Sequence, residues 1–476
     1  MQVLYVSTEV YPALKTGGLA DVNAALPPAL IRLGADVRLL LPAFPALLKA
    51  AGQLERVAKL DTVFGTAPVE ISRGTLDGVP AYFIVAPEFY ARRGNPYTDA
   101  KGQDWPDNHL RFALLGWVAA RFADSAFDGW RPDIVHSHDW HAGLAPAYLA
   151  ARGGDRPGSV FTVHNLSYQG QFPAETFGAL HLPPHFFGLQ GLEFYGKVNF
   201  IKAGLHYADR ITTVSPTYAR EIQTPQQGCG MEGLLRSRAG ALTGILNGVD
   251  PQEWNPASDP RIPARYDAGH LEGKAVCKTA LQTGLGLGLN AAGPLFGAVS
   301  RLTTQKGLDL LLGALPRLTA GGGQLALLGA GDADLEQGFR AAAAAHPRAV
   351  AVRIGYDEDR AHRIVAGADV MVVPSRFEPC GLTQMYGLAY GTLPLVRRVG
   401  GLADTVTDAA VPEGDGFVFE ETNVAALGAA LERVFSVWRE PHIWAALRRQ
   451  AMRADFGWEP SARRYLDLYR GLRPHA

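Results

Sequence analysis

From Val3 to Val396 the chain repeats one device: a short run of β-branched and aliphatic residues, a loop, then a longer amphipathic segment. Val3–Ser7 reads as a buried strand, followed by a helix from about Gly18 to Leu33. Asp133–Ser137, Val160–His164 and Ile211–Ser215 are further runs of this kind. The second half is more regular. Phe296–Ser300, Gln324–Leu328, Val350–Ile354, Val370–Pro374 and Leu393–Val396 read as strands, with helix patterns over Lys306–Leu318, Asp334–Ala345 and Asp359–Ala366 between them. Short apolar runs without polar alternation belong to strands covered on both faces, and the intervening helices supply that cover. The predicted fold is α/β, built on doubly wound parallel sheets.

A chain of 476 residues is too long for one core, so two such sheets are expected. The boundary falls after Asn247-Gly248-Val249-Asp250, where Pro251, Trp254, Asn255, Pro256 and Pro260 break any regular period. This places one domain at 1–250, a second at 251–455 and a final segment at 456–476. In the last, Tyr465, Leu468, Tyr469 and Leu472 share one helical face.

Charge narrows the function. Lys plus Arg total 45 against 46 for Asp plus Glu, a formal net charge of −1. Such a chain has no global field for nucleic acid or an anionic membrane, so any anion must meet a local cluster of donors. Three cysteines, Cys229, Cys277 and Cys380, form no CxxC pair and suit a reducing compartment. The start, Met1–Val6, has no basic segment of a signal peptide, and the apolar stretch Phe112–Ala123 is too short to span a bilayer. A soluble, cytoplasmic protein is expected.

Local clusters sit where strands end. Gly17-Gly18-Leu19-Ala20-Asp21 recurs as Gly400-Gly401-Leu402-Ala403-Asp404, each copy between a strand pattern and a helix pattern. Paired glycines there let a ligand approach backbone N–H groups at the positive end of a helix, or simply make two tight turns. Lys15 precedes the first copy and is placed for a phosphate, although no GxxxxGK[ST] loop is present. Arg301 and Lys306 follow Phe296–Ser300, at the sheet edge where open α/β sheets bind ligands. Ser375 to Gln384 crowds Glu378, Cys380, Gly381 and Thr383 at another strand end, with the N–H groups of Gly381, Leu382 and Thr383 open to an anion. Cys380 reads as structural. The run His136-Ser137-His138-Asp139-Trp140-His141 lacks the order of a binuclear metal site and any second cluster, so no metal and no cofactor is expected. Asp139 and His164 read instead as strand-end groups for a polar substrate.

In order along the chain, these motifs resemble the bacterial glycogen synthases and plant starch synthases, glycosyltransferase family 5. The resemblance runs from Lys15–Leu19 through His138–His141, Phe161–Asn165, Asn247–Asp250, Ser300–Leu302 and Gln305–Gly307 to Arg376–Gln384. It implies a GT-B fold of two Rossmann-like domains facing across a cleft, and a C-terminal helix returning to the first domain; with Lys15 in the first domain and Arg301, Lys306 and Glu378 in the second, the cleft is expected to close during catalysis. It implies transfer of glucose from ADP-glucose to the non-reducing 4-hydroxyl of an α-1,4-glucan such as glycogen, with retention. By the same resemblance Lys15, Gly17, Gly18, Asn247, Arg301, Lys306 and Gly381–Thr383 bind the donor. Glu378, His164 and Asp139 are the catalytic candidates, and Asp21 and Tyr97 belong near the acceptor or reaction centre. Retaining transferases outside the family carry a second glutamate eight residues after the first; Tyr386 stands there. A sugar-nucleotide isomerase on the same two-domain plan is separated only by the ordered motifs, and an idle nucleotide-sugar-binding module by the intact Lys15, Arg301, Lys306 and Glu378. Neither the oligomeric state nor the choice of ADP-glucose over UDP-glucose follows from residue chemistry.

Overall fold

The computed structural model describes residues 1–124, 127–289 and 293–473, so 474–476 of the expected final segment lie outside the described residues. The chain forms two compact units, Met1–Gly248 with Trp458–Ala476, and Val249–Gly457.

In the first unit nine strands make one sheet. Their order is Leu242–Gly244, Arg210–Thr213, Gly158–Val163, Ile134–His138, Gln2–Val6, Asp36–Pro42, Val79–Val85, Val69–Leu76 and Glu55–Leu60. All pairs up to Asp36–Pro42 with Val79–Val85 are parallel, and the last two are antiparallel. The doubly wound parallel sheet thus carries two antiparallel strands at this edge, which the sequence reading did not name. The cause is local: Asp77 and Gly78 both have positive φ, 47° and 79°, a two-residue turn that joins only antiparallel neighbours. The central strands are buried along their length, as their unbroken apolar runs require.

The helix Trp458–Leu472 buries Trp458, Ala462, Tyr465, Leu466 and Tyr469 in the core of this unit, against the helix Gly18–Arg32. Ser461 Oγ donates to the Leu246 carbonyl at 2.5 Å, fixing where the helix begins its return.

The second unit is a six-stranded, all-parallel sheet in the order Val350–Ile354, Gln324–Gly329, Leu295–Val299, Val370–Val373, Leu393–Arg397 and Phe417–Phe419. Its helices include Leu308–Ala320, which starts two residues later than the apolar pattern predicts. Gly307 explains the delay. Its φ is +69°, and a Cβ there would lie 1.9 Å from the Pro374 carbonyl oxygen. Lys306 is thus left in the loop ahead of the helix.

Candidate active site

Each sheet has one place where neighbouring strands are followed by crossovers to opposite sides, and ligands of open α/β sheets bind beyond the carboxyl ends of the strands there. In the first unit this point lies between Gln2–Val6 and Ile134–His138. In the second it lies between Leu295–Val299 and Val370–Val373. Both are occupied by the clusters anticipated from the sequence.

Beyond Gln2–Val6 the loop is organised by Glu9, which is buried. Its Oε2 accepts from the Thr16 N–H at 2.6 Å, and its Oε1 from Thr16 Oγ1 at 2.7 Å and the Tyr97 hydroxyl at 2.5 Å. Tyr97 also meets Thr8 Oγ1 at 2.9 Å and stacks on His141, with ring centroids 4.6 Å apart. These bonds hold Lys15, whose Nζ lies 2.9 Å from Asp21 Oδ1. Gly17 is exposed, with extended backbone and open space where a Cβ would stand.

Beyond Ile134–His138, Asp139 adopts a left-handed backbone, φ 54°, and its Oδ1 accepts from the His164 N–H at 2.7 Å. Burial pushes its carboxyl up to about 7, against backbone N–H groups of His164 and Asn165 that favour the anion. His138 Nδ1 and His164 Nε2 are 3.0 Å apart. Burial also holds His141 and His164 down at about 3, and His136 and His138 well below the usual imidazole range. These four rings are neutral at pH 7. The nitrogens of His136 are taken by the Tyr469 hydroxyl at 2.7 Å and Thr162 Oγ1 at 2.6 Å, which makes it a structural residue.

In the second unit Glu378 is buried, with Lys306 Nζ 2.8 and 2.6 Å from its two oxygens and Ser375 Oγ donating to Oε2 at 2.8 Å. The Glu378 carbonyl accepts from the Gly401 N–H at 3.1 Å. Gly400, at φ +46°, leaves room for that carbonyl, which a Cβ would meet at 1.9 Å. The two glycine pairs therefore differ: Gly17 leaves open space, whereas Gly400 and Gly401 permit close backbone packing. Arg376 is held by Asp309 in a bidentate pair, 2.6 and 2.7 Å, and ties this loop to the helix after Lys306. Gln384 Nε2 donates to the Cys380 and Gly381 carbonyls at 3.1 and 2.9 Å, which fixes Gly381 and Leu382 ahead of the helix Thr383–Ala389. Cys380 is buried, and Arg301 is exposed at the end of Leu295–Val299.

The structure thus joins Lys15 with Asp21, Asp139 with His164, and Lys306 with Glu378. Asn247 is buried and, among the described residues, bonded to neither cluster. Sequence reading missed Glu9 and Thr8, and quoted Ser375 and Gln384 only as the bounds of a motif, with no role for either. Glu9 carried a usable signal, a carboxylate just past the end of the first strand.

The paired α/β units, with cation-bearing loops at both switch points, define a glycosyltransferase of the GT-B class. Residues 2–237 match the family description "Starch synthase catalytic domain", and residues 286–450 match "Glycosyl transferases group 1". The chain is 57% identical over 479 residues to a glycogen synthase of Serratia proteamaculans, covering 99% of this chain and all of that one. Against a glycogen synthase of Yersinia pestis it is 56% identical with the same coverage. The catalytic domain of starch synthase IV from Arabidopsis thaliana, solved with ADP and acarbose, superposes at a TM-score of 0.86 with 34% identity and 99% of each chain covered. The chain belongs to the glycogen and starch synthase family.

Proposed function

We infer that the protein elongates an α-1,4-glucan by transferring glucose from ADP-glucose to the non-reducing 4-hydroxyl, with retention. The observation that carries this is the placement of Lys15 and of the Lys306–Glu378 pair beyond the strand ends at the two switch points, in a chain with full-length glycogen synthase relatives. Breaking a glycosyl–phosphate bond builds negative charge on the leaving diphosphate. Lys15, Arg301, Lys306 and the N–H groups around Gly381–Thr383 are the groups we assign to it. Gly17 and Gly18 let the diphosphate approach the first turn of their helix.

We assign Glu378 to holding Lys306 and contacting the donor sugar rather than to attack. Both of its oxygens are already engaged by an ammonium and a hydroxyl. Asp139, pushed up to about 7 by burial, holds its proton for part of the time at neutral pH and in that form can donate a hydrogen bond to a sugar hydroxyl. With Glu378 so engaged, we favour departure and attack on the same face of the sugar. Asp21 and Tyr97 are assigned to the acceptor side. Incubation with ADP-glucose, with and without glycogen, tests the reading: primer-dependent release of ADP with polymer growth is expected. A modified hexose without primer, or binding without turnover, would overturn it. Parallel turnover of UDP-glucose reads the nucleotide preference.

A further inference from the structure

The second unit holds a cluster that the glucosyl-transfer reading does not use. Glu358 and His362 lie one turn apart on the helix Glu358–Gly367, and Glu253 comes to them from the segment that opens the unit. His362 has no exposed surface. Its Nδ1 is 2.8 Å from Asp259 Oδ2, a carboxylate oxygen that also accepts from the Tyr390 hydroxyl at 2.6 Å. A carboxylate on Nδ1 fixes the proton there and leaves the lone pair on Nε2, the arrangement that orients a metal-binding imidazole.

Nε2 is buried without a hydrogen-bond partner. It faces Glu253 Oε1 and Glu358 Oε1, each 4.0 Å away. A lone pair aimed at two carboxylate oxygens is repulsive, and a proton or a metal ion on Nε2 relieves it. The three ligand atoms lie within 4.8 Å of one another. Tetrahedral coordination at bond lengths of about 2.0–2.2 Å puts ligand atoms roughly 3.3–3.6 Å apart, so small side-chain rotations close the set.

The ring itself is fixed. Trp254 stacks on it at 3.7 Å between centroids and stacks in turn on Tyr386 at 3.8 Å. Arg261 and Tyr356 compete for the carboxylates. Arg261 donates to Glu253 Oε1 at 2.7 Å, and the Tyr356 hydroxyl donates to Glu358 Oε2. A cation on Glu253 Oε1 would displace one arm of Arg261, which keeps its contact with Asp359 at 3.1 Å.

We propose that Glu253, Glu358 and His362 form a divalent transition-metal site, with Asp259 as the positioning carboxylate and one position left for water. One imidazole and two carboxylates suit Zn²⁺ or Co²⁺ rather than Ca²⁺ or Mg²⁺. The ion would fasten the opening segment of the unit to the helix Glu358–Gly367, in a structural and not a catalytic role. The sequence reading expected no metal and found no second cluster; this proposal departs from it, through Glu253, Glu358 and His362, residues that only folding brings together.

The full-length protein, stripped with chelator, is titrated with Co²⁺ alone and with Zn²⁺ alone. Co²⁺ should give the visible bands of a four- or five-coordinate ion at one equivalent, and Zn²⁺ should displace them and raise the melting temperature. In Glu253→Gln/Glu358→Gln, which leaves the stacked ring untouched, Zn²⁺ affinity should fall more than about 100-fold. His362→Gln should lose the Co²⁺ bands if it folds. Absence of bands in the parent protein, or less than a tenfold loss in the double variant, would overturn the site.

Discussion

Lys15 and Glu9 divide one task between them. Lys15 supplies charge, and Glu9 supplies the three hydrogen bonds that fix the loop bearing it. A charge-assisted contact to a diphosphate contributes about 1.5–3 kcal/mol. Lys15→Ala should therefore lower kcat/KM for ADP-glucose by about 10- to 150-fold, with less than a twofold change in glucan affinity. Steady-state titration of each substrate separates the two, and unchanged donor kinetics would remove Lys15 from the donor site. Glu9→Ala should act on the same parameter indirectly, by freeing Thr16 and Tyr97, and should also lower the melting temperature. Glu9→Gln keeps the length and one acceptor and should recover part of both losses. Full donor kinetics in Glu9→Ala would show that the loop does not need this anchor. Nothing in the residues around Glu9 announces its partners, because Tyr97 lies far along the chain and meets it only after folding. Lys306 and Glu378 were legible as strand-end groups, whereas their pairing and the support from Ser375 were not.

At the scale of elements, the two Gly-Gly-Leu-Ala-Asp segments make opposite predictions. Alanine at Gly400 would meet the Glu378 carbonyl and force a left-handed backbone, so Gly400→Ala should destabilise the second unit by about 2 kcal/mol or more. Alanine at Gly17 has space and an extended backbone, so Gly17→Ala should melt as the parent does while raising the KM for ADP-glucose. Thermal melts and donor titrations of the two variants check this together, and equal melting temperatures would refute the distinction. The helix Trp458–Leu472 offers a simpler test. Tyr469→Phe leaves His136 Nδ1 buried without its partner and should cost about 1–3 kcal/mol, read by denaturant titration. Most of the parallel strands were legible because burial on both faces leaves an unbroken apolar run. Asp36–Pro42, Leu242–Gly244 and Phe417–Phe419 went unread, the first because polar residues break its start and the other two because they are only three residues long. Glu55–Leu60 was not legible either, since it is half exposed and lies at an edge, where packing leaves a weaker imprint. Asp77-Gly78 did mark the antiparallel turn, a local signal that the alternation of strands and helices concealed.

Across the whole molecule the buried histidines set a dependence on pH. Unfolded imidazoles take up protons from about pH 6.5 downward. In the folded chain His141 and His164 remain neutral until about pH 3, and His136 and His138 are also held low. Between those limits the unfolded state binds more protons, so acid lowers stability by up to about 1.4 kcal/mol per pH unit for each histidine. Asp139 opposes this: folded, it keeps its proton up to about pH 7, so its contribution falls as pH rises from about 4. The histidines outweigh it. Melting temperatures should fall from pH 7.5 to pH 5, and Asp139→Asn should steepen the fall. A flat profile would mean that the four rings take up protons without unfolding.

The first unit is assembled from two stretches of chain, Met1–Gly248 and Trp458–Ala476, separated by the whole of the second. On a ribosome this order becomes a delay. The intervening residues take on the order of 10–40 s to synthesise at about 5–20 residues per second. Throughout that interval the surface that receives Trp458, Tyr465 and Tyr469 has nothing to cover it, while the second unit is contiguous and can fold as it emerges. The domain made first is the domain finished last. A nascent chain arrested before Trp458 should expose an apolar face that chaperones recognise, and release of the full chain should bury it.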